Sequence, residues 1–397
     1  MTLRNQMLSR AARRFFDGYM GQVEKGSLEV ILPGGERLLR EGQQPGAKGT
    51  MEVKRWRTFS KVMRRGDIGF AEGYVAGDWE SPDLSALMTV LAQNIDSFND
   101  DFSPRGLDRW LTGFQHALRR NTKSQSRKNI EAHYDLGNDF YQLWLDPSMT
   151  YSSAIFEAAS QDLPLAQAAK YQRILDQAEL KPNSNILEIG CGWGGFAEAA
   201  AAAGHQVTGV TISPAQLAFA ERRLAKEIQA GAVELRLQDY RDIPETFDAV
   251  VSIEMFEAVG QEWWETFMQK VRGSLSPGAK AIIQTITMKD EFFEGYASQA
   301  DFIQTCIFPG SMLASPGRFT AQAANQGLQL EGQHFFGRSY AETLRHWQSA
   351  FNGAENEVRG LGFDSEFIRL WNFYYSYCVG GFEAERTSVG QFSFRAA

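Results

Sequence analysis

The second half of the chain repeats one pattern: a short apolar, β-rich run, a tight turn, then an amphipathic or alanine-rich stretch of helical length. "NILEIG" passes through a glycine cluster into "GFAEAAAAAG". "QVTGVTIS" leads into "PAQLAFAERRLAKEI", "VELRLQDY" follows, "FDAVVSIEMFEAV" runs into a Trp-rich helix, and "GAKAIIQTIT" closes the series. Strand-like runs that alternate with helices predict βαβ units, hence an α/β fold with a doubly wound, mostly parallel, Rossmann-like sheet. Ligands in such sheets sit beyond the carboxyl ends of the strands. The polar residues singled out below fall at those ends.

The first part reads differently. A helix-like start containing "RRFFDGYM" precedes "GSLEVILPGGERL", whose alternation and Pro33-Gly34-Gly35 turn signal a hairpin. Strand-like "TMEVKRWRTF" comes next. In "GDIGFAEGYVAGDWESPDL" the repeated glycines and acidic residues are expected to break any long element before the helical "LSALMTVLAQNI". The pattern predicts a small N-terminal α+β domain over residues 1–118, a linker over 119–128 ("RNTKSQSRK" with Arg119 before it), and the α/β domain over 129–397.

Composition narrows the classes. A chain of 397 residues with 43% hydrophobic content can hold two cores. Its three cysteines, Cys191, Cys306 and Cys378, are odd in number and far apart, which argues for a reducing compartment and against a disulfide framework. None has metal-like spacing, and no metal site is expected. No apolar run is long enough to span a bilayer and the Arg-containing start has no signal-peptide core, so a cytoplasmic location is expected. The net charge of -8 is unevenly spread: residues 1–67 carry 14 Lys/Arg against 7 Asp/Glu. A basic segment on an acidic protein suits an anionic surface, and is equally consistent with an ordinary solvated face.

The glycines of "LEIGCGWGG" at 190, 192 and 195 satisfy the dinucleotide pattern G-x-G-x-x-G, while Gly194 also permits the tighter turn of S-adenosylmethionine (SAM) enzymes. The loop alone does not decide. A dinucleotide site places a carboxylate at the end of the second strand, but "GVTISPAQ" offers only Thr211, Ser213 and Gln216 there. The third strand ends in Gln238 and Asp239, suited to the adenine amine of a single nucleoside. Together these favour SAM.

The ordered set "NIEAHYDLGNDFYQLWLDPSMTYSSAIFE", "LEIGCGWGG", "GVTISPAQ", "LQDYRD", "VVSIEMFEAVG" and "DFIQTCIFPGSMLAS" resembles the cyclopropane-fatty-acyl-phospholipid synthase family, which includes the mycolic acid cyclopropane synthases and related fatty-acyl C-methyltransferases. The resemblance covers nearly the whole chain. It implies a SAM-methyltransferase sheet and attack of an acyl-chain double bond on the SAM methyl group. By that resemblance Tyr151 and Ser152 contact the amino acid part of SAM above Gly190, Gly192 and Gly194, Thr211 and Gln216 hold the ribose, and Gln238 and Asp239 the adenine. Tyr151 as a core aromatic and Asp239 as a helix N-cap are the plain alternatives.

The family completes its ring with bound bicarbonate as the base. The resemblance maps that site to Glu257, the backbone near Ile286, Tyr340 and the residue after "YS". Two positions depart: Ser153 stands where the family has cysteine, and Gln284 where it has histidine, while "FEHVG" becomes Ala258. Glutamine can donate a hydrogen bond but cannot relay a proton. Either bicarbonate still binds and a cyclopropane forms, or the cation loses its proton elsewhere and leaves a methyl-branched or methylene chain. Rings in "EWWETF" and "WNFYYSYCVGGF", among them Trp263, Trp264, Phe373 and Tyr374, either face the cation or pack the core. "CIFPGSMLAS" either inserts into lipid or covers the protein. The implied partners are phospholipid acyl chains and an anionic membrane surface at the inner face, with no nucleic acid, and a homodimer by analogy. A methyltransferase of a small soluble molecule, or a SAM-binding protein without activity, is the competing class.

Overall fold

The computed structural model describes residues 3–19, 23–97, 136–158 and 160–396. The expected linker at 119–128 lies outside them. Two compact units emerge, and the chain passes between them more than once: one takes in the described N-terminal residues with 298–307 and 355–386, the other the remainder.

In the first unit, β1 (Lys25–Ile31), β2 (Arg37–Glu41), β3 (Gln44–Val53) and β4 (Trp79–Glu80) form a sheet in the order β2-β1-β3-β4. The Pro33-Gly34-Gly35 turn joins β1 to β2 as an antiparallel hairpin, as expected. The glycine-rich stretch breaks the helix as expected at Gly66 (φ 55°, ψ -129°), a non-helical kink within Arg57–Val75, although helix resumes beyond it as far as Val75. Gly69 and Gly73, inside the second part, permit close approach. A Cβ at Gly69 would lie 2.2 Å from the Lys61 carbonyl oxygen, and one at Gly73 3.0 Å from the Trp79 ring. The helix Leu84–Asn94 forms where expected, capped by Asp83. Much of the basic charge is paired inside this unit: Arg55, Arg57 and Lys61 all meet Asp78, Arg40 meets Asp17, and Arg65 meets Glu72. Phe373 and Tyr374 lie on the helix Ser365–Glu383 and are buried in this unit, with Phe373 against Phe70 and Tyr74. "WNFYYSYCVGGF" is therefore core.

The second unit carries a seven-stranded sheet: β5 (Asn185–Ile189), β6 (Gln206–Thr211), β7 (Val233–Leu237), β8 (Phe247–Ile253), β9 (Leu275–Met288), β10 (Leu328–Phe335) and β11 (Thr387–Ala396), in the order β10-β11-β9-β8-β5-β6-β7. β5 through β9 pair in parallel, as the alternation predicts. β11 is antiparallel to both β9 and β10. Apolar side chains bury both faces, Leu187, Val250 and Ile283 on one and Ile186, Val251 and Ile282 on the other, which is why these strands read as continuous apolar runs. Trp264 belongs to the first of these cores. Among the described residues no helix is long and apolar enough to cross a membrane.

Candidate active site

Strands β5 and β8 lie side by side, with Ile189 opposite Ser252, so the loops that leave their carboxyl ends meet. The first is the glycine turn. Gly190, Gly192 and Gly194 all adopt positive φ (85°, 52° and 86°), conformations that cost an L-residue with a side chain about 1–2 kcal/mol. Their missing side chains serve different ends. A Cβ at Gly190 would clash with Met255 of the neighbouring loop at 2.9 Å, and one at Gly194 with Leu224 at 2.8 Å. A Cβ at Gly192 would meet nothing within 4 Å, so this glycine borders open space. At Gly195 a Cβ would strike the Tyr171 hydroxyl at 2.7 Å and the Thr150 hydroxyl at 3.1 Å. Its absence lets the segment 148–153 lie against the turn.

That segment is held from below. The Thr150 and Tyr171 hydroxyls are hydrogen-bonded at 2.7 Å, Lys170 Nζ donates to Ser152 Oγ at 2.7 Å, and Gln167 Nε2 donates to the Ser152 carbonyl at 2.9 Å. Tyr151 turns its ring into a cluster with Tyr141, Trp144, Trp347 and Phe308, centroids 5.3–6.5 Å away. Trp193 of the glycine turn packs against the Tyr141 ring in a tilted arrangement and donates through Nε1 to Asn138 Oδ1. The rings of Tyr141, Trp144, Trp347 and Phe308 surround Tyr151.

At the tip of β6, Thr211 Oγ1 donates to Gln216 Oε1 at 3.2 Å and accepts the Ser213 N–H, while Ser213 caps the helix Pro214–Arg223. Thr211 and Gln216 are thus brought together. Gln238 follows β7, its Nε2 donating to the Asp242 carbonyl. Asp239 caps the short turn Tyr240–Asp242 and makes a two-point ion pair with Arg241. The N-cap alternative therefore describes its geometry.

The second loop gathers a buried polar cluster. Ser153, Gln284 and Tyr340 do converge, and the group at their focus is Glu254, one residue past β8. The Ser153 N–H and Gln284 Nε2 both donate to Glu254 Oε1 at 2.8 Å, and the Tyr340 hydroxyl donates to Oε2 at 2.6 Å. Gln284 is itself fixed by Gln391 Nε2 of β11, which donates to its Oε1 at 3.1 Å. The Ser153 hydroxyl is turned away, donating to the Ala154 carbonyl. Glu254 has φ 49°, the left-handed region, which costs about 1–2 kcal/mol for a residue with a side chain. Burial holds its carboxyl above the usual value, and Tyr340, the charge of Lys170, Gln284 and the Ser153 N–H offset this only in part.

Glu257 lies beside it in a separate setting. Its Oε1 accepts from the Thr285 hydroxyl at 2.9 Å and from the Ile286 N–H, and Oε2 has no hydrogen-bond partner among the described residues. Burial and then the Glu254 charge push this carboxyl up to about 8. Both buried carboxyls are thus raised: Glu257, at about 8, keeps a proton at neutral pH, for which Oε2 is the unpartnered oxygen, while Glu254 has the larger set of donors in the Ser153 N–H, Gln284 and Tyr340. Lys170 completes the arrangement, fully buried and pulled down to about 7 by burial against the opposing charges of Glu254, Asp146 and Glu188. The loop 306–315 covers the protein at its far end, where Met312 N–H donates to the Glu257 carbonyl and Met312 and Ala314 are buried.

Neither Glu254 nor Lys170 was expected from sequence. The signal for Glu254 was the one that exposed Glu257, a carboxylate just past an apolar strand. Lys170 gave none, being one lysine in an amphipathic helix.

Comparison with known proteins identifies the family of the chain. Residues 121–392 match the family model for mycolic acid cyclopropane synthetase. The chain is 36% identical over 345 residues to the tuberculostearic acid methyltransferase UfaA1 of Mycobacterium tuberculosis, covering 84% of this chain and 80% of that protein. It is 33% identical over 358 residues to the cyclopropane-fatty-acyl-phospholipid synthase of Escherichia coli, covering 88% of each. Among solved structures, the mycolic acid cyclopropane synthase CmaA1 complexed with SAH and CTAB superposes with a TM-score of 0.63 at 30% identity, over 68% of this chain and 98% of that one. A Rossmann-like sheet, a left-handed glycine turn and a buried polar cluster at adjoining strand ends thus coincide with a match over most of the sequence, and the chain belongs to the mycolic acid cyclopropane synthetase family.

Proposed function

We propose that the protein adds a one-carbon unit from SAM to the double bond of an unsaturated fatty acyl chain, with membrane phospholipid as the carrier of that chain. It is a SAM-dependent methyltransferase. The observation that carries the acyl-chain reading is the pairing of a buried Glu254 carboxyl, held by three donors, with a cluster of aromatic faces around Tyr151. A soluble nucleophile that already bears a lone pair needs no such site. An alkene does: its attack leaves a carbocation that aromatic faces stabilise without quenching and that only a base can resolve.

The residues present fit the cofactor. Gly192 borders open space where the methionine portion would lie, Tyr151 and Ser152 would stand over it, Thr211 and Gln216 would take the ribose, and Gln238 and Asp239 the adenine. Bound there, SAM supplies an electrophilic methyl group. The chain's own part is to hold the alkene in line, exclude water and take up the proton that is released.

The phospholipid and the inner membrane face rest on the basic N-terminal segment, whose charge is worth up to about 1 kcal/mol per cation close to an anionic surface. The ion pairs already made by Arg55, Arg57 and Lys61 reduce the number of cations available for this. Two products stay in view, a cyclopropane and a methylene or methyl-branched chain, the second favoured by Gln284 standing where a proton-relaying side chain is expected.

The test is incubation with SAM carrying a 13C-labelled methyl group and liposomes of a cis-monounsaturated phospholipid, with fragmentation mass spectrometry of the acyl chains. One labelled carbon at the former double bond is expected. Label confined to water-soluble products would overturn the proposal.

A further inference from the structure

Three donors at the candidate site, the Ser153 N–H, the Gln284 amide and the Tyr340 hydroxyl, make a cradle for a planar, two-oxygen anion. In this chain the cradle is filled by the protein itself: the Glu254 carboxylate spans it, one oxygen on Ser153 and Gln284 and the other on Tyr340. Gln284 can donate to that oxygen because Gln391 occupies its own carbonyl. The left-handed backbone at Glu254 turns the side chain back under the strand end, at a conformational cost that a glycine would not bear. We propose that Glu254 is the resident base of this enzyme, taking the proton lost from the newly added one-carbon group, and that the reaction needs no bicarbonate.

The balance is as follows. After the alkene π pair has bonded to the incoming carbon, the neighbouring chain carbon is cationic. Glu254 takes one proton from the added CH3, an O–H bond forms, and the C–H pair stays on carbon. That pair closes the third bond of a cyclopropane; if a hydride has first moved between the two chain carbons, it forms an exocyclic C=CH2 instead. The proton on Glu254 returns to water when product leaves. Either way the donor methyl surrenders one of its three hydrogens. The inference rests on the function proposed above, and the experiment below separates the two.

The purified full-length protein is assayed with SAM bearing a CD3 group and unsaturated phospholipid liposomes, in buffer stripped of carbon dioxide and again with added bicarbonate. The expected product keeps two deuterium atoms from the donor, and turnover changes less than about twofold on bicarbonate removal. Glu254→Gln, which keeps the shape but not the basicity, should lose about 100-fold or more in turnover while its affinity for S-adenosylhomocysteine by calorimetry stays within about threefold. In Glu254→Gly the vacated cradle should accept the small anion. Added bicarbonate then restores turnover at least about tenfold, and [13C]bicarbonate NMR shows line broadening that wild type lacks. If Glu254→Gly does not fold, the wild-type bicarbonate response, the deuterium count and Glu254→Gln still decide. Strong bicarbonate dependence in wild type, bicarbonate binding to wild type by NMR, or products keeping all three deuterium atoms would overturn the role of Glu254 and leave the acyl-chain function standing. Absence of deuterium from the lipid would overturn both.

Discussion

Replacing Glu257 with Gln isolates the proton that the site holds at neutral pH. In the folded protein burial, then the Glu254 charge, raise this carboxyl from 4.5 to about 8, against the pull of the Ile286 N–H and the Thr285 hydroxyl. Between those values the native state keeps a proton that the unfolded chain has released. The stabilising contribution is therefore complete below about pH 4.5 and drains away as pH rises toward 8, at a slope of at most about 1.4 kcal/mol per pH unit. Across the window the ceiling is about 5 kcal/mol. Glutamine removes the titration and preserves the contacts: its Oε1 can accept from Thr285 and Ile286, and its NH2 stands where the Glu257 proton sits. Melting of wild type and Glu257→Gln, followed by tryptophan fluorescence from pH 5 to 8 at fixed ionic strength, should give similar midpoints at pH 5. The midpoints should diverge with rising pH, the Gln variant becoming the more stable by up to about 3–5 °C per pH unit. Parallel curves would show that Glu257 is ionised in the fold and would refute the proton assigned to it.

Three further outcomes are expected. Lys170→Met removes the ammonium that supports the Glu254 charge, so the acidic limb of the turnover–pH profile should move to higher pH, with the fold retained by circular dichroism. Gly194→Ala must place a side chain at φ 86° and 2.8 Å from Leu224, which should weaken S-adenosylhomocysteine binding about tenfold by calorimetry. Burial alone would raise the Asp78 carboxyl, but Lys61, Arg57 and Arg55 outweigh it and hold it below its ordinary value. Its stabilising contribution is thus present above about pH 4 and lost as pH falls further, and Asp78→Asn should cost the N-terminal unit about 3 kcal/mol at pH 7 in urea unfolding.

The parallel half of the sheet was legible because β5, β8 and the second half of β9 are buried on both faces and write apolar runs, while β7, exposed at Glu234 and Leu237, was read from its place in the strand–helix alternation. β10 and β11 were not, since β10 alternates and lies at the edge, and its pairing depends on a strand distant in sequence. Of the glycines in "GDIGFAEGYV", Gly66 breaks the helix as expected, while Gly69 and Gly73 lie within it, because sequence shows conformational freedom but not the Lys61 carbonyl and Trp79 ring that require it. At the site, the resemblance located Ser153, Gln284 and Tyr340, and the structure brings them together. What they hold could not be read in advance: that Glu254, and not Glu257, faces them is set by one backbone angle. The aromatic clusters divided for a similar reason, because helical spacing gives a face for Phe373 and Tyr374 but not the partner that covers it.

The position of β11 bears on how the protein is made. It wedges between β9 and β10, both of which leave the ribosome before it, and it carries the Gln391 that fixes Gln284. Until Thr387–Ala396 emerges, the nascent chain displays the apolar flank of β9 as an open edge, a target for chaperones and for mispairing. The same delay withholds Gln391, whose amide orients Gln284, so the polar cluster at the strand ends is completed only once β11 has paired.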